Sequence, residues 1–214
     1  ALADANNGNW QTARRWQRLL APHHVWIVRQ WPGNDPAAHA QARQDEVMLA
    51  LHARRSAEAV QAWYAQHGQR GLGLALTGTD LYRDIAHDPH AQRSLTLAKS
   101  LVVLQGLGPK SLPHQHQEKT RVIYQSSSTR QTLPKTTRHL RIVMVGHLRD
   151  EKDPRTLMEA ARLLCPGSGI LIDHIGAPLD PTLGQAARAT QARCPHYRWL
   201  GALSHRETLQ RIQR

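Results

Sequence analysis

Leu140-Arg-Ile-Val-Met-Val-Gly-His-Leu-Arg-Asp-Glu-Lys-Asp-Pro154, continued by Arg155-Thr-Leu-Met-Glu-Ala-Ala-Arg-Leu-Leu164, reads as one strand–loop–helix unit. Leu140 to Val145 reads as a strand. Gly146 ends it. Pro154 stands where a helix tolerates proline, in its first turn, and predicts a helix over Pro154–Leu164. The alternation continues downstream with a strand over Gly169–Ile175, a helix over Pro181–Ala192 and a short strand over Tyr197–Leu200. A further helix begins at Ser204, with Glu207 three residues on as a capping box.

Upstream, Gln125 to Arg138 holds three consecutive serines, four threonines and Pro134, and reads as a linker. Before it the same alternation occurs. A helix is expected over Trp10–Leu20, with Asn6, Asn7 and Asn9 offering capping oxygens. Strands are expected over His24–Trp31, Val47–Leu51, Leu72–Thr77, Leu101–Leu104 and Arg121–Tyr124. One helix fills Ser56–Gln66. Another follows a loop after Thr77 and runs to about Ala98. Strands alternating with helices imply parallel sheets covered by helices. The expected class is α/β, with an N-terminal Rossmann-like domain over 1–125, a linker over 126–138 and a partial second domain over 139–214.

The chain has 214 residues, 40% hydrophobic and 21% charged, enough to bury a core. Its net charge of +12 favours anionic partners. No apolar run is long enough for a membrane-spanning helix, and the first residues do not read as a secretory leader. Cys165 and Cys194 form neither a disulfide framework nor a zinc pattern, and the cytoplasm is the expected compartment. His114-Gln-His116 lacks partners spaced to complete a metal site, so no metal is expected. The charge alone also fits a basic nucleic-acid-binding protein, but it is spread along the chain instead of gathered on one helix or arm.

Open parallel sheets bind ligands at the carboxyl ends of their strands, which directs attention to five segments. Asn6-Asn-Gly-Asn-Trp10 opens a helix, so Asn7, Gly8 and Asn9 are candidates for an anion, or else an ordinary cap. His52-Ala-Arg-Arg-Ser56 puts His52, Arg54 and Arg55 after a strand, as an oxyanion clamp or a solvated first turn. Thr77-Gly-Thr-Asp-Leu-Tyr-Arg-Asp84 gathers Thr77, Gly78, Thr79, Asp80, Tyr82 and Arg83. Asp80 there orients a hydroxyl or serves as a base, or makes only a turn. Gly146, His147, Arg149 and Lys152 form a basic loop before a helix, suited to a diphosphate or simply solvated. Gly176 and Gly201 end the two following strands and give backbone access beside Gly146.

Val145-Gly-His-Leu-Arg-Asp-Glu-Lys152 resembles the phosphate loop of retaining GT-B glycosyltransferases, commonly Gly-Arg-Leu-x-x-x-Lys. Gly176 and Tyr197-Arg-Trp-Leu-Gly-Ala-Leu-Ser-His-Arg-Glu207 resemble the donor-side segments that follow it. Asn6-Asn-Gly-Asn-Trp10, Ala50-Leu-His-Ala-Arg-Arg-Ser56, Leu76-Thr-Gly-Thr-Asp-Leu-Tyr-Arg-Asp84, Leu101-Val-Val-Leu-Gln105 and Val122-Ile-Tyr-Gln-Ser126 are similar to the selenosugar synthases of selenoneine biosynthesis.

The resemblance implies a GT-B-like fold, the second domain incomplete. It implies transfer of a sugar from a UDP-sugar to selenium from selenophosphate, without a metal or other cofactor and without nucleic acid. Lys152 matches the family's diphosphate lysine. His147 stands where the family has Arg, and Arg149 is nearby. Asp80 and Thr79 take the catalytic position. Asn7, Gly8, Asn9, His52, Arg54, Arg55, Thr77, Gly78, Tyr82 and Arg83 take the acceptor side. Relative to the family the chain is short at both ends, and a chain this short is expected to turn over poorly. An ordinary hexosyltransferase with an oxygen or sulfur acceptor is the nearest alternative.

Overall fold

The computed structural model describes residues 8–165 and 167–214. The chain divides between Ser126 and Ser127 into two units, each built on a parallel sheet.

In the first unit α1 (Gly8–Leu19) and α2 (Pro36–Ala42) precede β1 (Met48–Leu51), α3 (Ala57–His67) and β2 (Leu72–Leu76). A π-helical turn over Asp80–Asp84 runs into α4 (Ile85–His87) and α5 (Pro89–Leu97). Then come β3 (Ser100–Val103), a 3₁₀ turn over Gly108–Ser111, α6 (His114–Gln117) and β4 (Thr120–Val122). The strands lie in the order β1-β2-β3-β4, all parallel, with Ala50 opposite Leu74 and Leu74 opposite Leu101. Val60 and Trp63 of α3 and Leu95 of α5 bury themselves with Leu72, Leu74, Leu76, Leu101 and Val103 of the strands. Burial of this apolar surface is the main stabilising contribution.

The second unit contains β5 (Leu140–Val145), α7 (Pro154–Leu163), β6 (Ile170–Ile175), α8 (Pro181–Arg193), β7 (Tyr197–Trp199) and α9 (His205–Ile212). Its sheet runs β5-β6-β7, again parallel. Met158 and Ala161 of α7 and Leu183 and Ala187 of α8 cover Ile172 and Tyr197.

Helix starts follow one local rule. Asp35-Pro36, Asp88-Pro89, Asp153-Pro154 and Asp180-Pro181 each open a helix, the aspartate accepting from a first-turn N–H and the proline occupying the position that needs no donor. Ser204 and Glu207 form the expected reciprocal capping box on α9. At the other end of α5, Nζ of Lys119 donates to the carbonyls of Leu95 and Ala98, both at 2.7 Å, satisfying groups that the helix leaves unpaired.

Two expectations are corrected. His24–Trp31 is not a strand. Pro22 and Pro32 bracket it, and among the described residues it pairs with no strand. Its β-branched residues have no pleated neighbour to pack on, so Trp26 and Val28 stay exposed. Trp31 instead turns inward, stacks against Trp63 with ring centroids 4.9 Å apart, and donates from Nε1 to Asp45 at 2.9 Å. Second, the stretch after Thr77 is helical from Asp80, not a loop.

Candidate functional site

In the first unit the segments after β1 and β2 are tied together by one carboxylate. Asp80 is fully buried; its Oδ2 accepts from the N–H of Ala53 at 2.9 Å and its Oδ1 from that of Thr77 at 2.8 Å. This corrects the expectation that Asp80 is a substrate-facing base: both oxygens are held by backbone donors inside the fold. Thr79, half-buried, stands at the start of the π-helical turn and makes no capping bond with its hydroxyl. Gly78 has φ 117°, a conformation that favours glycine, with open space where a side chain would be.

His52 is the first residue past β1. Its N–H donates to Ala75 at 2.9 Å, extending the ladder, and its backbone is left-handed at φ 81°. The ring is buried. Nδ1 accepts from the N–H of Arg55 at 3.4 Å and lies 4.0 Å from Asp80. Nε2 lies 3.7 Å from Asp84 and makes no hydrogen bond. Burial lowers the His52 pKa, against the pull of Asp80. The expected direct contact of His52 with an acceptor is therefore corrected to a role beneath the surface.

Asp84 accepts from Nε of Arg54 at 2.9 Å and from Nε of Arg83 at 3.2 Å. Burial works to raise its pKa, and the two arginines outweigh that and hold it below the usual carboxylate value. The side chains of Arg54 and Arg83 are each about half exposed. Arg55 is exposed and makes no ion pair among the described residues. Tyr82 is exposed, its hydroxyl accepting from the side chain of Gln105 after β3. The structure thus brings His52, Arg54, Arg55, Thr77, Asp80, Tyr82 and Arg83 to the carboxyl ends of β1 to β3. Gly8 and Asn9 lie elsewhere, as the first residues of α1, which is joined by Thr12 and Arg15 to Gln125 and Ser126. Asn7 lies outside the described residues.

In the second unit the three strand ends are laced by backbone bonds. Gly146 donates to Ile175 at 2.9 Å, Leu148 to Ala177 at 2.9 Å, and Gly176 to Gly201 at 2.8 Å. A side chain at Gly176 would place its Cβ 1.9 Å from the carbonyl oxygen of Gly146, so glycine is required there by close approach. His147 accepts at Nδ1 from the N–H of Ala177 at 3.0 Å. Leu148, wholly buried, anchors the loop. The stem of Lys152 lies over Gly146, within 3.5–3.6 Å of where a Cβ would stand, and its ammonium makes no ion pair among the described residues. Arg149 lies 3.8 Å from Glu151. Asp153, at φ 43°, caps α7 by accepting from Thr156, so one helix amide counted towards a diphosphate is already occupied.

Sequence reasoning missed the buried groups behind these loops. Asp173 of β6 is met by Arg141, Arg198 and Arg211. His174 is buried, with Nδ1 2.8 Å from the Tyr197 hydroxyl. Burial lowers the His174 pKa and pushes that of Tyr197 up to about 12. The available signal was an Asp-His pair inside the apolar run Ile170–Ile175, since a charge within a strand needs a partner. Among the described residues no group of three or more His, Cys, Asp or Glu is placed to hold a metal ion, and no helix is long and apolar enough to cross a membrane.

No protein-family model matches the chain, and no curated protein sequence does. A solved structure does: HepE from Anabaena, in complex with UDP and glucose, with a TM-score of 0.61 at 13% sequence identity. The match covers 96% of this chain and 61% of that one, so the chain spans less than two thirds of its neighbour's length. The likeness establishes the fold as α/β and GT-B-like, with Rossmann-like units on parallel sheets.

Proposed function

We propose that the chain is the sugar-transferring portion of a UDP-sugar glycosyltransferase whose acceptor is the selenium of selenophosphate. The observation that carries the donor half is the lacing of Gly146, Gly176 and Gly201, with the free ammonium of Lys152 carried over Gly146. An exposed ammonium with no ion pair among the described residues, held at the strand ends, suits a diphosphate. The likeness to a structure that holds UDP and glucose supports the same reading. In this reading Lys152, with Arg149 beside it, stabilises the departing diphosphate electrostatically, and no metal or other cofactor takes part.

The acceptor half rests on the first unit. Asp84 holds Arg54 and Arg83 through their Nε groups, and Arg55 adds an exposed charge. Guanidinium forks suit a tetrahedral dianion. Selenium attacks the anomeric carbon, a carbon–selenium bond forms, and the carbon–oxygen bond to the diphosphate breaks with its electron pair leaving on UDP. Water then cleaves the selenium–phosphorus bond, releasing phosphate and the selenosugar.

One observation favours a second reading. A cavity of about 520 Å³ beside the π-helical turn is lined by Leu81, Tyr82, Ile85, Gln92 and Ser111, with no charged group. It suits an uncharged hydroxyl acceptor, as in an ordinary hexosyltransferase. Mass spectrometry of reactions with UDP-N-acetylglucosamine and selenophosphate tests the proposal. A selenium-bearing sugar supports it. Release of UDP only with a neutral sugar acceptor supports the second reading and overturns the first.

A further inference from the structure

In the second unit one buried carboxylate faces three guanidinium groups. Asp173 accepts at Oδ1 from Nε of Arg198 at 2.8 Å and at Oδ2 from Arg211 at 3.0 Å. Arg141, near the start of β5, is the third. Its Nε stands 3.8 Å from Asp173 and is buried without a hydrogen-bond partner. A carboxylate inside a sheet needs pairing, but Arg198 and Arg211 already supply it. Arg141 is a surplus cation, and its Nη2 lies 3.5 Å from Nε2 of His139.

Arg141 and Arg211 line a cavity of about 690 Å³ with Lys135, His139 and Arg214, and no Asp or Glu lines it. Its outer wall is fixed: the N–H of Leu133 donates to the carbonyl of Gln213 at 2.9 Å, and the Gln213 side chain donates to Gln131 at 2.6 Å. Leu133, Val143 and Ile212 add apolar lining. The volume falls within the roughly 300–1,000 Å³ of small-molecule sites. The cavity opens beside the first residues of β5, whereas the Gly146 loop follows its last.

We propose that this cavity is a second anion site, separate from the strand-end loops, and that it takes a small, multiply charged oxyanion of the diphosphate class. Clustered like charges repel one another, and a multivalent oxyanion relieves that repulsion. The ligand binds between Lys135 and Arg141, and Asp173 keeps Arg211 in place at its side.

The test is calorimetric titration of the whole chain with inorganic pyrophosphate at low salt. Saturable binding that weakens tenfold or more in a Lys135→Gln/Arg141→Gln variant is the expected result, with Asp173 still paired to Arg198 and Arg211. If the double variant fails to fold, Lys135→Gln alone replaces an exposed residue and should weaken binding several-fold. Lys152→Gln should leave this binding in place. Titration with UDP in the Lys152→Gln background separates a nucleotide's diphosphate from the free ion as occupant, and either one supports the site. Absence of binding, unchanged affinity in the Lys135 and Arg141 variants, or loss on Lys152→Gln would each overturn it.

Discussion

Nε2 of His52 lies 3.7 Å from Oδ2 of Asp84, and that same oxygen accepts the Nε–H of Arg54 at 2.9 Å. The ring therefore stands behind the carboxylate that aims two arginines. Its left-handed backbone costs on the order of 1–3 kcal/mol and persists because the N–H completes the sheet ladder. A buried ring in a costly conformation thus backs the carboxylate that holds both guanidinium groups.

Burial lowers the pKa values of His52, His116 and His174 below 6.5. Between the folded values and 6.5 the unfolded chain binds more protons, so stability rises with pH across that window and is lost as pH falls through it. Asp84, held below 3.8, contributes its own loss only at lower pH. Thermal unfolding should have a higher midpoint at pH 7 than at pH 5, and His52→Asn should flatten the difference. An unchanged or reversed dependence would contradict the account.

Asp80→Asn places an amide where two backbone N–H groups require acceptors. At least one donor is left unsatisfied in the interior, at a cost of about 1–3 kcal/mol. Urea denaturation should show that loss. Stability equal to the parent would return Asp80 to the list of substrate-facing groups.

Gly176→Ala should destabilise the second unit by roughly 1–3 kcal/mol or more, because its Cβ meets the Gly146 carbonyl oxygen. Gly201→Ala meets open space and pays only for φ 68°, about 1–2 kcal/mol. Melting temperatures of the two variants should fall in that order.

Arg54 and Arg55 are adjacent in sequence and differ in role. Arg54→Ala removes one of two donors to Asp84 and should cost about 1 kcal/mol, since the guanidinium is half exposed and Arg83 still donates. Arg55→Ala should leave the melting temperature unchanged while weakening selenophosphate binding. The converse pattern would exchange their assignments.

The alternation of short apolar runs with helices was legible because strands such as β2 and β6 sink most of their residues into a core, and Leu140–Val145 appears with the expected bounds although Leu140 and Val145 stay exposed. The helix α2 was not read, although Asp35-Pro36 carries the same signal as Asp153-Pro154, because its seven residues give no full apolar stripe. His24–Trp31 misled because β-branched composition reports a fit to a neighbouring strand that is not there. The post-strand segments are candidates on topology alone. The roles within them were not legible. Asp80 reads as a catalytic group and His52 as an acceptor-side one, and only three-dimensional contacts reveal that neighbouring backbone donors and carboxylates enclose them. Ion-pair partners such as Asp173 and Arg211 are far apart in the sequence and become neighbours only through α9.

Lys152, which makes no ion pair among the described residues, lies over the laced glycines, and the proposed donor site makes UDP binding by the chain depend on it. Lys152 is exposed and its loss breaks no ion pair, so Lys152→Ala should leave the melting temperature unchanged. A charge-assisted contact is worth about 1.5–3 kcal/mol, which is tenfold or more in affinity. Calorimetric titration with UDP, parent against Lys152→Ala, is the most direct test. Saturable UDP binding that falls at least tenfold in the variant is the predicted result. No UDP binding by the parent, or equal binding by both, would contradict the assignment of the donor site.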